Sequence, residues 1–142
     1  MNKFIKIITI VLLTFLLSCQ KRYQVDELIS YLPLESPTYY KVLKDTAFAD
    51  YLQVVEIVVD KEYFYRTKEM ILQHNNFKDL GYNVDSLYRY NKAKYLTEVY
   101  LYKGEYYYLE KEESSPRLSR KFLYFRVKLK KDSIITVICR PL

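Results

Sequence analysis

Two hydrophobic regimes divide the chain. From Ile7 to Leu17 the residues are apolar apart from Thr9 and Thr14, with no amphipathic period. After about residue 24 apolar and polar positions interleave, and their spacing predicts elements. Val25, Leu28, Ile29 and Leu32 fall at i, i+3, i+4 and i+7, one face of a helix. Asp26 and Glu27 occupy its first turn, where acid suits the helix dipole, and Pro33 stops it. Ser36-Pro37 reads as an N-cap followed by a first-turn proline. Tyr40, Leu43, Ala47 and Tyr51 then continue on one helical face and predict a second helix to about Asp50. Val54 to Val59 is rich in β-branched residues and predicts a strand. Asp60-Lys61 separates it from Glu62-Tyr63-Phe64-Tyr65, which reads as the return strand of a hairpin, with a continued helix as the alternative.

Thr67 to Asn75 predicts a short helix, and Asn75-Asn76 and Gly81-Tyr82-Asn83 are breakers. Asp85-Ser86 caps a predicted helix to about Lys94. The remainder reads as β. Leu96 to Tyr102 and Glu105 to Leu109 flank Lys103-Gly104, a tight turn. Lys111 to Arg120 is a polar loop. Leu123, Phe125, Val127 and Leu129 alternate with Tyr124, Arg126 and Lys128, as in a half-buried strand, and Lys130-Lys131-Asp132 turns it into a last strand from Ser133 to Arg140. The stretch 55–65 echoes 99–108, too briefly for a repeat but in favour of the first hairpin. The expected architecture is α+β, with N-terminal helices packed on a mainly antiparallel, meandering β-sheet.

The first regime is not a fold element. A basic start, Asn2-Lys3-Phe4-Ile5-Lys6, leads the short apolar run into Leu16-Leu17-Ser18-Cys19, the order of a secretory signal. A transmembrane helix needs about 20 apolar residues, more than this stretch supplies. Leu16, Ser18 and Cys19 resemble the lipobox of bacterial lipoprotein precursors, with an aliphatic residue, a small residue and the acceptor cysteine. That resemblance implies export, diacylglyceryl transfer to Cys19, cleavage after Ser18 and acylation of the freed amine. It divides the chain into a signal peptide (1–18), a lipidated tether (19–24) and one domain (25–142). Gln20 stands where an Asp would hold such a protein at the inner membrane, so the expected site is the periplasmic side of the outer membrane. Several acyl chains, at about 0.8 kcal/mol per buried methylene, hold it there durably.

Composition narrows the rest. Cleavage leaves 124 of 142 residues, enough for a core, and loss of Lys3 and Lys6 lowers the net charge from +6 to +4. The charges are scattered among acids, so nucleic acid is not an expected partner. Lys21-Arg22 stands beside the anchor, where it is expected to touch anionic headgroups. With Cys19 consumed by lipid, Cys139 has no disulfide partner and reads as a buried strand residue. His74 is the single histidine and reads as a polar helix-end residue; no catalytic elbow, glycine-rich phosphate loop or metal motif occurs. Glu98, Glu105, Glu110, Asp60 and Glu62 are the carboxylates that a hydrolase would have to pair. Catalytic residues, cofactors and metals are therefore expected to be none. Tyrosine is the anomaly, with 17 copies and no tryptophan. Tyr100, Tyr102, Tyr106 and Tyr108 are expected to share a face across the Lys103-Gly104 turn as a candidate binding surface, since tyrosine offers rigid contact area with a polar tip. The expected function is a non-catalytic, protein-binding accessory lipoprotein of the envelope, in secretion or envelope machinery or in toxin immunity. The alternative is a small-ligand or cell-wall-glycan-binding domain, at its furthest a weak hydrolase.

Overall fold

The computed structural model describes residues 22–48, 52–93, 95, 97–111, 118 and 122–141. The expected leader, the expected lipid acceptor Cys19, and nearly all of the expected polar loop after Lys111 lie outside the described residues. In chain order come α1 (Val25–Ile29), β1 (Tyr40–Phe48), β2 (Leu52–Val59), α2 (Lys61–Leu72), β3 (Lys78–Asp79), α3 (Val84–Lys92), β4 (Thr97–Tyr102), β5 (Glu105–Lys111), β6 (Phe122–Leu129) and β7 (Ile134–Pro141). The strands form one open sheet in the order β1-β2-β7-β6-β5-β4-β3. Every pair is antiparallel except β3 with β4. Among the described residues the fold is α+β: three short helices on a seven-stranded, mostly antiparallel sheet.

Strand register sorts the side chains into two faces, because residues directly opposite in an antiparallel pair point the same way. On the core face Val99, Tyr108, Val127, Val137 and Val55 form one cross-strand row. Phe125, Cys139, Leu129, Ile135 and Ile57 flank it, all buried. α1 supplies Leu28 and Ile29 to this core and α2 supplies Tyr63 and Ile71. The opposite, outer face is half-covered at one end by α3, where Tyr90 and Leu87 pack with Leu80, Tyr100 and Tyr107. Tyr90 also finishes an open edge: its hydroxyl accepts from the Val99 amide at 2.8 Å and donates to the Val99 carbonyl at 3.0 Å.

Two predicted elements are different in the structure. Residues 40–48 form strand β1, not the end of a helix begun at Ser36. β1 is an edge strand with a bulge at Leu43, which breaks the alternation and leaves apolar residues at mixed spacing. Residues 62–65 belong to α2, not to a return strand, so the echo between 55–65 and 99–108 has no structural counterpart. Asp60 caps α2 by accepting from the Tyr63 amide at 2.8 Å, and Tyr63, Thr67 and Ile71 form its buried stripe. The helix after Gly81 is present, capped by Asn83, whose side chain accepts from the amides of Asp85 and Ser86. The Lys103-Gly104 hairpin, β6 and β7 lie where the pattern placed them. The segment ahead of residue 25 is bonded to the sheet. Gln53 bonds both the amide (3.0 Å) and the carbonyl (2.9 Å) of Tyr23, and Arg22 pairs with Asp45 at 2.6 Å.

Candidate binding face and cavity

The four tyrosines expected on one face are split between two. Lys103 and Gly104 both have positive φ, as a two-residue turn of the hairpin type requires. That turn sets Tyr102 opposite Glu105, Tyr100 opposite Tyr107, Leu101 opposite Tyr106 and Val99 opposite Tyr108. Tyr100 and Tyr102 therefore lie on the outer face, while Tyr106 and Tyr108 point to the core face. Tyr107 joins Tyr100 instead, and Tyr124, opposite Lys111, completes the outer set.

One outer row runs Tyr100, Tyr107, Lys128, Thr136, Glu56 and Lys44 across six strands. Its members are tied together. The Tyr100 and Tyr107 rings stack at 4.9 Å. The Tyr107 hydroxyl donates to Glu105 at 2.9 Å, Glu105 pairs with Lys128 at 2.7 Å, and Lys128 lies 5.7 Å over the Tyr107 ring. Glu56 takes bonds from Lys130 and from the Thr136 hydroxyl. Glu98, itself buried, pairs with Lys111. Each described carboxylate of this face thus has a lysine partner.

These contacts set the titration of the face. Burial raises the Tyr107 phenol well above its ordinary range, and the bond to Glu105 adds to it. Burial also raises Tyr100, against the pull of the Arg126 cation, and pushes Tyr90 up to about 12. Desolvation works to raise the Glu105 carboxyl, but the bonds from Lys128 and Tyr107 outweigh it and hold the group below the usual carboxylate range. The Lys130 bond does the same for Glu56. Near neutral pH this face therefore presents neutral phenols and fixed ion pairs.

Beside this lattice of stacked rings and ion pairs, between α3, β4, β5 and β6, lies a cavity of about 440 Å³ lined by Asn91, Glu98, Leu109, Lys111, Leu123, Tyr124 and Arg126. Leu123 is there because a register shift between Phe122 and Tyr124 turns it outward, to 38 % exposure. Phe122 takes the core position that the alternation had predicted for Leu123. Arg126 sits in the row Glu98, Leu109, Arg126, Ile138 and Val54. Its cross-strand neighbours are apolar, and along its own strand stand Tyr124 and Lys128. Its Nε is buried with no hydrogen-bond partner, and its guanidinium lies 6.0 Å from the Tyr124 ring centre. The nearest anion along the row, Glu98, is engaged by Lys111.

The other candidates do not assemble into a reactive group. His74 lies just past the C-cap of α2, where its Nδ1 accepts from the Asn76 amide at 3.2 Å and its ring stands T-shaped to that of Tyr108. Glu98 and Glu105 lie four strand positions apart in register, roughly 13 Å at strand spacing. Glu110 is on the core face, where it accepts from the Tyr108 hydroxyl. Among the described residues no three His, Cys, Asp or Glu side chains converge as metal ligands. Cys139 is buried in the core, and burial pushes its thiol up to about 12. No family model matches the chain, and neither the curated proteins nor the solved structures hold a significant match.

Sequence reasoning missed Tyr107, Tyr124 and Arg126. The first two were within reach: a two-residue turn at Lys103-Gly104 fixes the parity of β5 against β4. Arg126 had no local signal, because what makes it unusual is the lack of an acceptor on the strands beside it.

Proposed function

We propose that this chain is a lipoprotein of the cell envelope, anchored through Cys19 and facing the periplasm from the outer membrane. Its domain is a non-catalytic module that binds another envelope or exported protein. The observation that carries the binding role is the outer face, where Tyr102, Tyr107 and Tyr124 stand partly exposed on strands among paired charges, with Tyr100 buried behind them under α3. Tyrosines fixed in this way lose little conformational entropy on contact. The anchor rests on the lipobox resemblance alone. A photo-crosslinking residue placed at Tyr102 or Tyr124 in the membrane-bound protein is expected to yield one reproducible protein adduct, while the same residue at Tyr65, on α2, yields none. Equal capture at all three positions, or none, counts against the face. Cys19→Ser is expected to abolish incorporation of labelled palmitate, because the thiol is the nucleophile that accepts the diacylglyceryl group. A second reading, a small-ligand or glycan-binding domain, is favoured by the cavity of about 440 Å³ beside Arg126.

A further inference from the structure

We infer that the cavity beside Arg126 receives a carboxylate borne on a short apolar stem. This uses the cavity of the second reading and does not depend on the protein-binding one. The first ground is hydrogen bonding. A buried guanidinium N–H without an acceptor is rare in a folded protein, and Arg126 Nε is one. A ligand oxygen is the acceptor that the strand neighbours Leu109 and Ile138 cannot supply.

The second ground is charge. Around the cavity the Lys111–Glu98 and Lys128–Glu105 pairs cancel. Arg126 adds a positive charge that no described anion meets, with the exposed Arg140 diagonal to it on β7. Arg126 is the one cation of the cavity lining without a described ion-pair partner, and next to a buried Glu98 it suits a monoanion. A dianionic phosphate would stand half-neutralised beside that carboxylate. The third ground is shape. Guanidinium presents a planar fork that matches a carboxylate bidentately, and Leu109 and Leu123 wall the same space. Leu123 faces the cavity only through the bulge in β6. The carboxylate has two sources with the same chemistry: a free short-chain acid, or an acidic side chain of a peptide.

The full mature chain in nonionic detergent, labelled with ¹⁵N-arginine, shows an Nε–H resonance for each arginine, and that of Arg126 is identified by its loss in Arg126→Lys. The probes are butyrate for the free acid and acetyl-Gly-Glu-Gly-amide for the peptide. Butanol, butylamine and inorganic phosphate are the comparators. At least one acid probe is expected to move the Arg126 resonance saturably and leave the other arginines in place, and the comparators are expected not to. The probe that acts at lower concentration names the source. No saturable movement with either acid, or equal movement with phosphate, overturns the proposal. Leu123→Glu keeps Arg126 and sets the chain's own carboxylate at the cavity wall. It is expected to raise the half-saturating acid concentration at least tenfold, and an unchanged value overturns the proposal as well. An intact acid response together with failed crosslinking at Tyr102 and Tyr124 removes the protein-binding reading and leaves this site standing. The reverse pair of results removes this site alone.

Discussion

Phe125 and Arg126 are consecutive residues of β6 that face opposite ways. Phe125 is 0 % exposed and meets the ring of Phe122 at 5.8 Å and that of Tyr31 at 6.2 Å. Arg126 lies a residue further on, among Leu109, Ile138 and Tyr124, with its Nε unbonded. The same strands thus support a core face of interlocking apolar rows and an outer face of tyrosines and ion pairs. Polar groups enter the core face with partners at Gln53, against Tyr23, and at Glu110, against Tyr108, while the buried Tyr63 hydroxyl of α2 has none. The outer face holds charge because its described carboxylates are each matched by a lysine, and Arg126 is the exception. The difference teaches that the larger core lies on one side of this sheet, and that the part of the other side not covered by α3 is free to carry a recognition surface.

The largest test of that division is a pair of truncations on β6. Phe125→Ala is expected to cost about 3–5 kcal/mol in urea unfolding, the usual loss for an aromatic in a packed core. Leu123→Ala, two residues away on the outer side, is expected to stay within about 0.5 kcal/mol. Similar losses at the two positions would erase the distinction between the faces. Next comes Cys139→Ser, which places a hydroxyl among apolar neighbours at a cost of about 1–3 kcal/mol. With its thiol raised to about 12 by burial, native Cys139 should also resist iodoacetamide until the protein is unfolded. Rapid native alkylation would show that the β7 end of the core is open.

A smaller loss, about 1–2 kcal/mol, is expected for Gln53→Ala, which leaves the Tyr23 amide and carbonyl without their side-chain partner. Cleavage by trypsin after Arg22 should accelerate in that variant, and an unchanged rate would mean that the clamp does not hold the N-terminal segment. The smallest effect belongs to the outer face. The Glu105 carboxyl is lowered in the folded state, so its contribution is present above the unfolded value near 4.3 and is lost as pH falls through the folded one. Half-exposed pairs of this kind contribute about 0–1 kcal/mol. Glu105→Gln should therefore lower the neutral plateau of a stability–pH curve by no more than that, leave the stability at the acid end unchanged, and so flatten the limb between them. A large drop at pH 7 would make the lattice a structural element in its own right.

The hairpin β4–β5, strands β6 and β7, and α1 were legible because each carries a local signal that agrees with its burial. β6 alternates, α1 repeats at helical spacing and Gly104 punctuates the turn. β1 was not legible, because an edge strand is exposed on both sides and the bulge at Leu43 destroys its parity. α2 was misread at its start. The aromatics Tyr63, Phe64 and Tyr65 favour strands, yet the Asp60 cap and the Tyr63, Thr67, Ile71 stripe decided for a helix once there was a core to cover. Of the candidate face, Tyr100 and Tyr102 were identified, and Tyr106 and Tyr108 were assigned to the wrong side by the turn's parity.

By itself, the sequence determined the mixed α+β content and the alternation that gives the later strands two faces. Those properties are local: they depend on residues a few positions apart in the chain. Only the tertiary structure decided which strand lies beside which, and so which side chain stands opposite another. β7 is inserted between β2 and β6, and this sets Ile138 rather than an acid beside Arg126. A buried guanidinium N–H without an acceptor is a property of long-range register, because the acceptor it lacks would have to come from residues distant in sequence.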